Sequence, residues 1–460
     1  MKSAGEKKFN GLEVKGKKLL ILGLARTGVA AARLANSLGA DVMVSDIKSQ
    51  EELNEHIKML EGADVRFFLG SHPESLLKGI DLIVVSPGIQ GTIPILLKAR
   101  NMGIKIVSEI EFAYNFLQVP VIAITGTNGK TTTTKLINEL LIAAGYRSLG
   151  LGNIGTPLSE FALNSQEYDY LVVEVSSFQL EEVVNFKPFI SLILNITPDH
   201  MDRYKGIEEY SRTKYRIFEK QKKKDFLVLN YDDLMLRKLS PQTGASVLYF
   251  STKEVINNGC FVKGGEIFFG FQNSVKAVCS LCDVKLEGLH NLENALAAIT
   301  ACSLCHVEPE TIKKVLSEFK PPSHRIEFVR ELNGVRFIND SKGTNVGAVV
   351  KSLMSYSSPI ILIAGGRDKK GDFDMLRDLV KSKVKKLVLI GEAKEKIKKS
   401  LNGFTHSINA SDMNDAVKKS FEAASSGDII LLSPGCASFD MFNSYEERGV
   451  AFRRAVMGLK

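Results

Sequence analysis

The run Val119 to Leu140, VPVIAITGTNGKTTTTKLINEL, constrains this chain more than any other. Its apolar, β-branched opening, Val119 to Ile124, predicts a short buried strand. Thr125-Gly126-Thr127-Asn128-Gly129-Lys130-Thr131-Thr132 then turns into a helix whose Leu136, Ile137, Leu140, Leu141 and Ala144 share one face. Strand, glycine turn, Lys-Thr and helix is the layout of a phosphate-binding loop. Backbone N–H groups freed by the glycines approach phosphate oxygens, and the helix N-terminus adds partial positive charge. Lys130 reaches the outer phosphates and the Thr131 hydroxyl ligates magnesium. One position departs from the general pattern G-x-x-x-x-G-K-[ST]: Ile124 stands where it has a glycine.

With 460 residues there is chain enough for two to four cores, and 60 Lys and Arg against 52 Asp and Glu leave a mild +8. The lysine runs (Lys7, Lys8, Lys15, Lys17 and Lys18; Lys220 to Lys224; Lys381 to Lys399) mix with acids and lack interleaved aromatics, so they read as solvated faces and not as a nucleic-acid surface. A positive field also suits an anionic nucleotide. No signal-peptide core and no run of about 18 apolar residues occurs, which predicts a soluble, cytoplasmic protein without membrane insertion. Its six cysteines read as reduced thiols. Cys279/Cys282 and Cys302/Cys305 have nearly the spacing of a four-cysteine zinc site, but the second pair falls in an alanine-rich helical stretch, Leu292 to Cys305, where cysteine acts as a small apolar residue.

Three blocks of alternating strands and helices follow from the pattern. Lys17 to Leu22 runs into Gly23-Leu24-Ala25-Arg26-Thr27-Gly28, a helix Val29 to Leu38, and a strand Asp41 to Ser45 ending in Asp46. That is nearly the dinucleotide fingerprint, with Ala25 in place of the middle glycine, which disfavours close approach of a pyrophosphate. The strand Asp81 to Val85 leads into Ser86-Pro87-Gly88. In the middle block, Tyr168 to Glu174 ends in an acid and Ile190 to Ile196 runs into Thr197-Pro198-Asp199-His200-Met201-Asp202. Strand ends of a doubly wound sheet share one rim, which predicts Glu174 and His200 beside Lys130, holding magnesium against phosphates. A helix beginning after Leu289-His290-Asn291 is expected to carry Asn294 on an exposed first turn, and Pro321-Pro322 reads as a linker. From His324 onward, the strands Val335 to Asn339, Pro359 to Ala364, Lys385 to Ile390 and Asp428 to Leu432 each end in glycine, hydroxyl or charge. The expectation is an α/β chain of three units: a Rossmann-like unit at 1–109, a phosphate-loop unit with a mostly parallel sheet at 110–321, and a second Rossmann-like unit at 322–460.

These residues are specific enough to carry a resemblance. ITGTNGKTTT at 124–133, GNIGTP at 152–157, EVSSFQLE at 174–181, NITPDHMDRY at 195–204, HNLENALAA at 290–298, HRIE at 324–327 and NDSKGTN at 339–345 resemble the Mur ligases, ATP-dependent enzymes of bacterial cell-wall synthesis. SSFQLE, DHMDRY and SPGCASFDMF are similar to the D-glutamate-adding branch. The family's phosphate loop is the shorter T-G-T-N-G-K-[ST], which accounts for Ile124.

The resemblance implies an amide ligase that joins D-glutamate to UDP-N-acetylmuramoyl-L-alanine through an acyl phosphate, with ATP, two Mg²⁺ sites and CO₂ held as a lysine carbamate, acting as a monomer. It implies that Lys130, Glu174, His200 and Lys214 are catalytic. Thr131, Glu174, His200 and carbamylated Lys214 would hold the metals. Gly126 to Thr132, Asn291, Asn294, Arg325 and Asp340 would bind ATP. The UDP-substrate would fall to Arg26, Thr27, Asp46, Ser86, Pro87, Gly88, Asn153 and Ser176, and D-glutamate to Lys342, Thr344, Lys369, Ser438, Phe439 and Tyr445. Other readings remain: a folate polyglutamylating ligase, a Mur ligase for another amino acid, a nicotinamide-dependent oxidoreductase, or a nucleotide-switch protein. The diamino-acid-adding branch carries Asp-Asn-Pro-Arg where this chain has Gly366-Arg367-Asp368-Lys369.

Overall fold

The computed structural model describes residues 12–460 other than 154 and 287, so Lys7, Lys8 and Ile154 of the GNIGTP run lie outside the described residues. The described strands form three sheets. In the first, β1 (Lys18–Leu22), β2 (Asp41–Asp46), β3 (Val65–Leu69), β4 (Leu82–Val85) and β5 (Lys105–Ser108) are parallel in the order β3-β2-β1-β4-β5. The order reverses beside β1, so the turns after β1 and β4 flank one crevice.

The second sheet contains β6 (Val121–Thr125), β7 (Ser148–Gly152), β8 (Tyr170–Glu174), β9 (Ile190–Ile193), β10 (Phe226–Asn230), β11 (Ser246–Ser251), β12 (Gly259–Lys263), β13 (Glu266–Phe271) and β14 (Ser274–Ser280). Their order is β14-β13-β12-β11-β10-β9-β6-β8-β7, parallel except for the antiparallel meander β12-β13-β14. Every residue of β6 is buried. Val121 and Ala123 join one apolar cluster while Ile122 and Ile124 join another, which is why a parallel strand covered on both faces reads as an unbroken apolar run. Each such aliphatic side chain contributes about 1.5–3 kcal/mol by leaving water. The first cluster continues through Ile110, Phe112 and Phe116 to Val29 and Ala32, so the helix Arg26–Ser37 packs on the same core as the second sheet.

The third sheet, β15 (Glu327–Leu332), β16 (Val335–Asn339), β17 (Ile360–Gly365), β18 (Val384–Ile390), β19 (Ser407–Asn409) and β20 (Ile429–Leu432), has the order β15-β16-β20-β17-β18-β19 and is parallel apart from the hairpin β15-β16. The chain is therefore α/β with mostly parallel sheets.

The sequence patterns depart from this in instructive places. The strand expected over Ile190 to Ile196 stops at Ile193, because the following backbone turns to bond the phosphate loop: Leu194 N donates to Thr125 O and Thr127 N to Asn195 O. The helix expected after Asn291 starts at Leu289, and Asn294 is buried, not exposed. Cys302 lies buried against the helix Lys130–Ala143, its Sγ 3.9 Å from Ile137 O. Burial pushes the Cys305 thiol up to about 12 and that of Cys279 up to about 11. Among the described residues no helix is long and apolar enough to cross a membrane.

Candidate active site

The loop between β6 and the helix Lys130–Ala143 is fastened from below. Asn128 N donates to Asn195 Oδ1 at 2.9 Å, and the Thr127 hydroxyl donates to Thr197 O at 3.0 Å. Gly129 caps the helix with φ +90°, and a Cβ there would lie 2.2 Å from Asn294 Oδ1. A cap without a side chain leaves the first N–H groups of the helix facing the crevice, the arrangement that binds an anion. Lys130 Nζ folds back on the carbonyls of Gly126 and Thr127, at 2.9 and 3.0 Å. Lys214 Nζ meets the same Gly126 carbonyl at 3.1 Å and lies 4.6 Å from the Tyr210 ring centroid. Lys214 sits on the inner face of the helix Ile207–Tyr215 and is 1 % exposed. Burial and the Lys130 charge push its pKa well down, toward the neutral amine. Lys130 is also lowered by burial, against the opposing pull of Glu174 and Asp199.

The acids come from neighbouring strand ends. Glu174, the last residue of β8, accepts from Asn153 Nδ2 at 3.0 Å with Oε1, while its buried Oε2 has no partner. His200 takes a left-handed backbone, φ +57°, and packs edge-on to Phe178 with centroids 4.7 Å apart. Burial pushes its pKa down to about 4, so the ring is neutral at pH 7 and keeps a nitrogen lone pair for a metal. Burial also opposes the charge on Asp199, but Lys369, His200 and the Asn345 hydrogen bond outweigh it and hold the carboxyl below the usual range. Among the described residues no three His, Cys, Asp or Glu side chains are by themselves grouped so that they could hold a metal ion. A divalent ion here would draw on the free Glu174 oxygen, the neutral imidazole, the Thr131 hydroxyl and phosphate oxygens. That oxygen-rich set suits Mg²⁺.

The third unit closes over this loop. Arg325 Nη2 donates to Thr131 Oγ1 at 2.6 Å. A cleft between the two units is lined by Gly129, Thr132, Asn291, Asn294, Asp340 and Lys342, among others. Asn294 Nδ2 donates to Asn291 Oδ1 at 3.4 Å. Asp340 accepts from the hydroxyls of Ser352 and Ser433 at 2.6 and 2.8 Å, yet burial pushes its pKa up to about 6. Lys342 Nζ stands 3.6 Å from the Tyr445 ring centroid, and burial, with Arg325 nearby, pushes its pKa down to about 7. Thr344 N donates to Lys342 O, and Lys369 reaches Asp199. Ser438 is buried, whereas Phe439 is 63 % exposed and points away from any core. Arg448, overlooked in the sequence, is fully buried and ties Ser341 and Cys436 together through Ser341 Oγ, Ser341 O and Cys436 O.

The first sheet offers a second crevice. Asp46 accepts from Leu24 N at 2.7 Å and Lys48 N at 3.0 Å, and the Ser86 hydroxyl donates to Gly23 O at 3.1 Å. Ala25 and Gly88 are exposed and Thr27 is half-buried. Arg26 reaches across to Gly155 O at 3.3 Å. Arg203 fixes this unit to the next, donating to Pro87 O at 3.2 Å and Ile89 O at 2.9 Å while paired with Glu181. Ser176 caps the short helix Ser177–Leu180. Lys130, Thr131, Glu174, Lys214, Arg325 and Lys342 are thus drawn to one crevice, while the first-unit group stands apart from it. Arg203 and Asp199 belong to the DHMDRY run, but nothing in the pattern distinguished them from surface charges.

Comparison with known proteins gives three matches to family profiles: Mur ligase MurD-like, N-terminal domain, over residues 17–108; Mur ligase middle domain over 124–302; and Mur ligase, glutamate ligase domain, over 324–436. A UDP-N-acetylmuramoylalanine–D-glutamate ligase from Caldanaerobacter subterraneus subsp. tengcongensis is 46% identical over 453 residues, 98% of this chain and 100% of the relative. The protein of the same name from Clostridioides difficile is 44% identical with the same coverage. Among solved structures, a pseudomurein peptide ligase type C from Methanothermus fervidus superposes with a TM-score of 0.61 at 22% identity, covering 97% of this chain and 100% of that one. A MurF ligase from Thermotoga maritima in complex with ADP gives 0.59 at 16% identity, covering 97% and 96%. At those identities the two structures bear on the fold.

Proposed function

The chain belongs to the Mur ligase family, and from that premise we propose that it is the ATP-dependent ligase joining D-glutamate to UDP-N-acetylmuramoyl-L-alanine in peptidoglycan precursor synthesis in the cytoplasm. The observation that carries the reading is the reach of Arg325 from the third unit onto Thr131 of the phosphate loop, beside Lys130 and Glu174. It brings an anion-binding helix start, a free carboxylate oxygen and a guanidinium to one place.

In this reading residues 1–109 hold the UDP-substrate, 110–321 hold ATP and 322–460 present the amino acid. The substrate carboxylate attacks the γ-phosphate, giving an acyl phosphate and ADP, and the amine of D-glutamate then displaces phosphate. Bringing two anions together is a problem of charge and position. Lys130 turns from the Gly126 and Thr127 carbonyls to the outer phosphates, and Arg325, reaching Thr131 from the third unit, helps to neutralise them. Asn291 and Asn294 hold adenine, and Asp340 the ribose. Arg26, Thr27, Asp46 and the Ser86-Pro87-Gly88 turn hold the uridine diphosphate, with Asn153 and Ser176 toward the muramoyl end. Lys342, Thr344, Lys369, Ser438, Phe439 and Tyr445 face D-glutamate. Mg²⁺, when bound at Thr131, Glu174 and His200, neutralises phosphate charge. The buried amine of Lys214, its pKa pushed well down by burial and the Lys130 charge, suits CO₂ addition, which would supply a carboxylate-like ligand for a second ion.

Phosphate release measured with UDP-N-acetylmuramoyl-L-alanine and a panel of D-glutamate, L-glutamate, lysine and diaminopimelate tests the assignment. Release with D-glutamate alone is expected; release with another member and not with D-glutamate overturns it. For Lys214, activity at low magnesium should fall in CO₂-depleted buffer and return with bicarbonate in the wild type but not in Lys214→Arg. Indifference of the wild type to CO₂ refutes the carbamate.

A further inference from the structure

Asp199 and Lys369 face each other across the boundary between the second and third units. Lys369 Nζ lies 3.4 Å from Asp199 Oδ1. Two further donors hold the carboxylate independently of the lysine: Asn345 Nδ2 at 2.9 Å from Oδ2, and His200 N at 2.9 Å from Oδ1. The pair is largely withdrawn from water, with side-chain exposures of 9% for Asp199 and 24% for Lys369. Beside it opens a cavity of about 150 Å³, to which Thr344, Asn345 and Lys370 contribute polar groups and Met201 and Val346 an apolar wall.

The residues assigned to D-glutamate above offer cations, hydroxyls and the backbone near Phe439 and Tyr445. The cations and hydroxyls answer carboxylates. An amino acid also brings an ammonium group, and a buried ammonium without an acceptor is costly. Two carboxylates line this cavity, Asp199 and the exposed Asp372; Asp199 is the one already stripped of water and already facing a cation. D-Glutamate entering between Asp199 and Lys369 dissolves one ion pair and makes two, and its second carboxylate is left to the other cations and hydroxyls assigned to it above. We infer that the Asp199–Lys369 pair is the receptor for the amino acid, which inserts between them with a carboxylate on Lys369 and its ammonium on Asp199. Asn345 and the His200 N–H keep Asp199 in position once the lysine has swung to its new partner. This rests on the ligase reading above and adds to it the group that recognises the amino end.

Asp199→Asn tests it, because the amide oxygen still accepts from Asn345 while the charge is lost. Binding of D-glutamate and of glutarate, the same dicarboxylate without the ammonium, is measured by titration calorimetry into the full chain held with ADP, magnesium and UDP-N-acetylmuramoyl-L-alanine. The wild type should prefer D-glutamate, and the variant should lose about tenfold or more on D-glutamate while glutarate binds as well or better, so that the preference collapses. Asp199→Glu should restore part of the preference, and Lys369→Met should weaken both ligands alike. Equal weakening of both ligands in Asp199→Asn, the signature of a merely structural contact, overturns the inference, as does an unchanged preference. A wild type that binds ADP and turns over an amino acid other than D-glutamate would instead overturn the ligase reading, and the inference with it.

Discussion

The crevice of the first sheet and the crevice over the phosphate loop are both made of turns at strand ends, but they satisfy their polar groups to different degrees. In the first, both oxygens of Asp46 and the hydroxyl of Ser86 are taken up by nearby backbone, and Ser108 Oγ at the end of β5 is buried without a partner. In the second, Glu174 Oε2, Thr125 Oγ1, Asn128 Nδ2, Thr133 Oγ1 and Thr197 Oγ1 are buried without a partner. Each such group costs about 1–3 kcal/mol until something meets it. The first crevice is the more nearly satisfied of the two; the second keeps more polar groups waiting for a ligand. Binding free energy in the first sets affinity, and in the second it is available for lowering a barrier.

The largest effect should therefore come from the second crevice. Lys130→Ala or Glu174→Ala is expected to lower kcat by about 10²–10³-fold, roughly 3–4 kcal/mol of barrier, with circular dichroism unchanged. Near-normal phosphate release in either variant would break the contrast between the two sites.

One acid beneath the first crevice departs from its neighbours and sharpens the comparison. Glu109 is fully buried, accepts from Ser159 N at 2.7 Å with Oε1, and leaves Oε2 without a partner. Burial pushes its pKa up from 4.5 to about 7, with Ser159 opposing and Glu160 adding to the shift. The folded chain holds this proton more tightly than the unfolded one. Its contribution is thus complete below pH 4.5 and is lost as the pH rises to about 7, on the order of 3 kcal/mol in all. Glu109→Gln keeps the Ser159 contact without a charge, so its melting temperature should exceed that of the wild type at pH 8 and match it at pH 4.5. Parallel pH profiles for the two proteins would show that the carboxyl does not titrate where its burial implies.

The smallest of these effects belongs to the first crevice itself. Arg26→Ala should raise KM for the UDP-substrate about tenfold, near 1.4 kcal/mol, and leave kcat nearly unchanged. A fall in kcat of the size seen for Lys130→Ala would erase the distinction drawn between the two sites.

How far the sequence reaches can be read from particular residues. β6 and β8 are legible because strands buried on both faces are unbroken apolar runs, and a strand that stops in Glu174 or Asn339 marks the rim. The phosphate loop is legible because its chemistry lies in consecutive residues. Lys214 is not, since it stands among Arg212, Arg216 and the lysines of 220–224 and only packing withdraws it from water. Tyr210 and Lys214, four apart on the helix Ile207–Tyr215, were the available signal. Asn294 was expected on the surface because an asparagine near a helix start is usually solvated; here the facing phosphate loop covers it. Asp199 was visible as a charge, but its partners Asn345 and Lys369 come from a different sheet.

The closeness of Gly129 to Asn294 has a consequence for how such a chain can vary. A methyl group at the first position would press into the amide of the second. A side chain at Gly129 must therefore be matched by a smaller residue at 294, on a helix encoded far downstream, and that smaller residue would give up the Asn294 amide. The constraint runs one way: enlarging position 129 needs room made at 294, whereas trimming 294 asks nothing of 129.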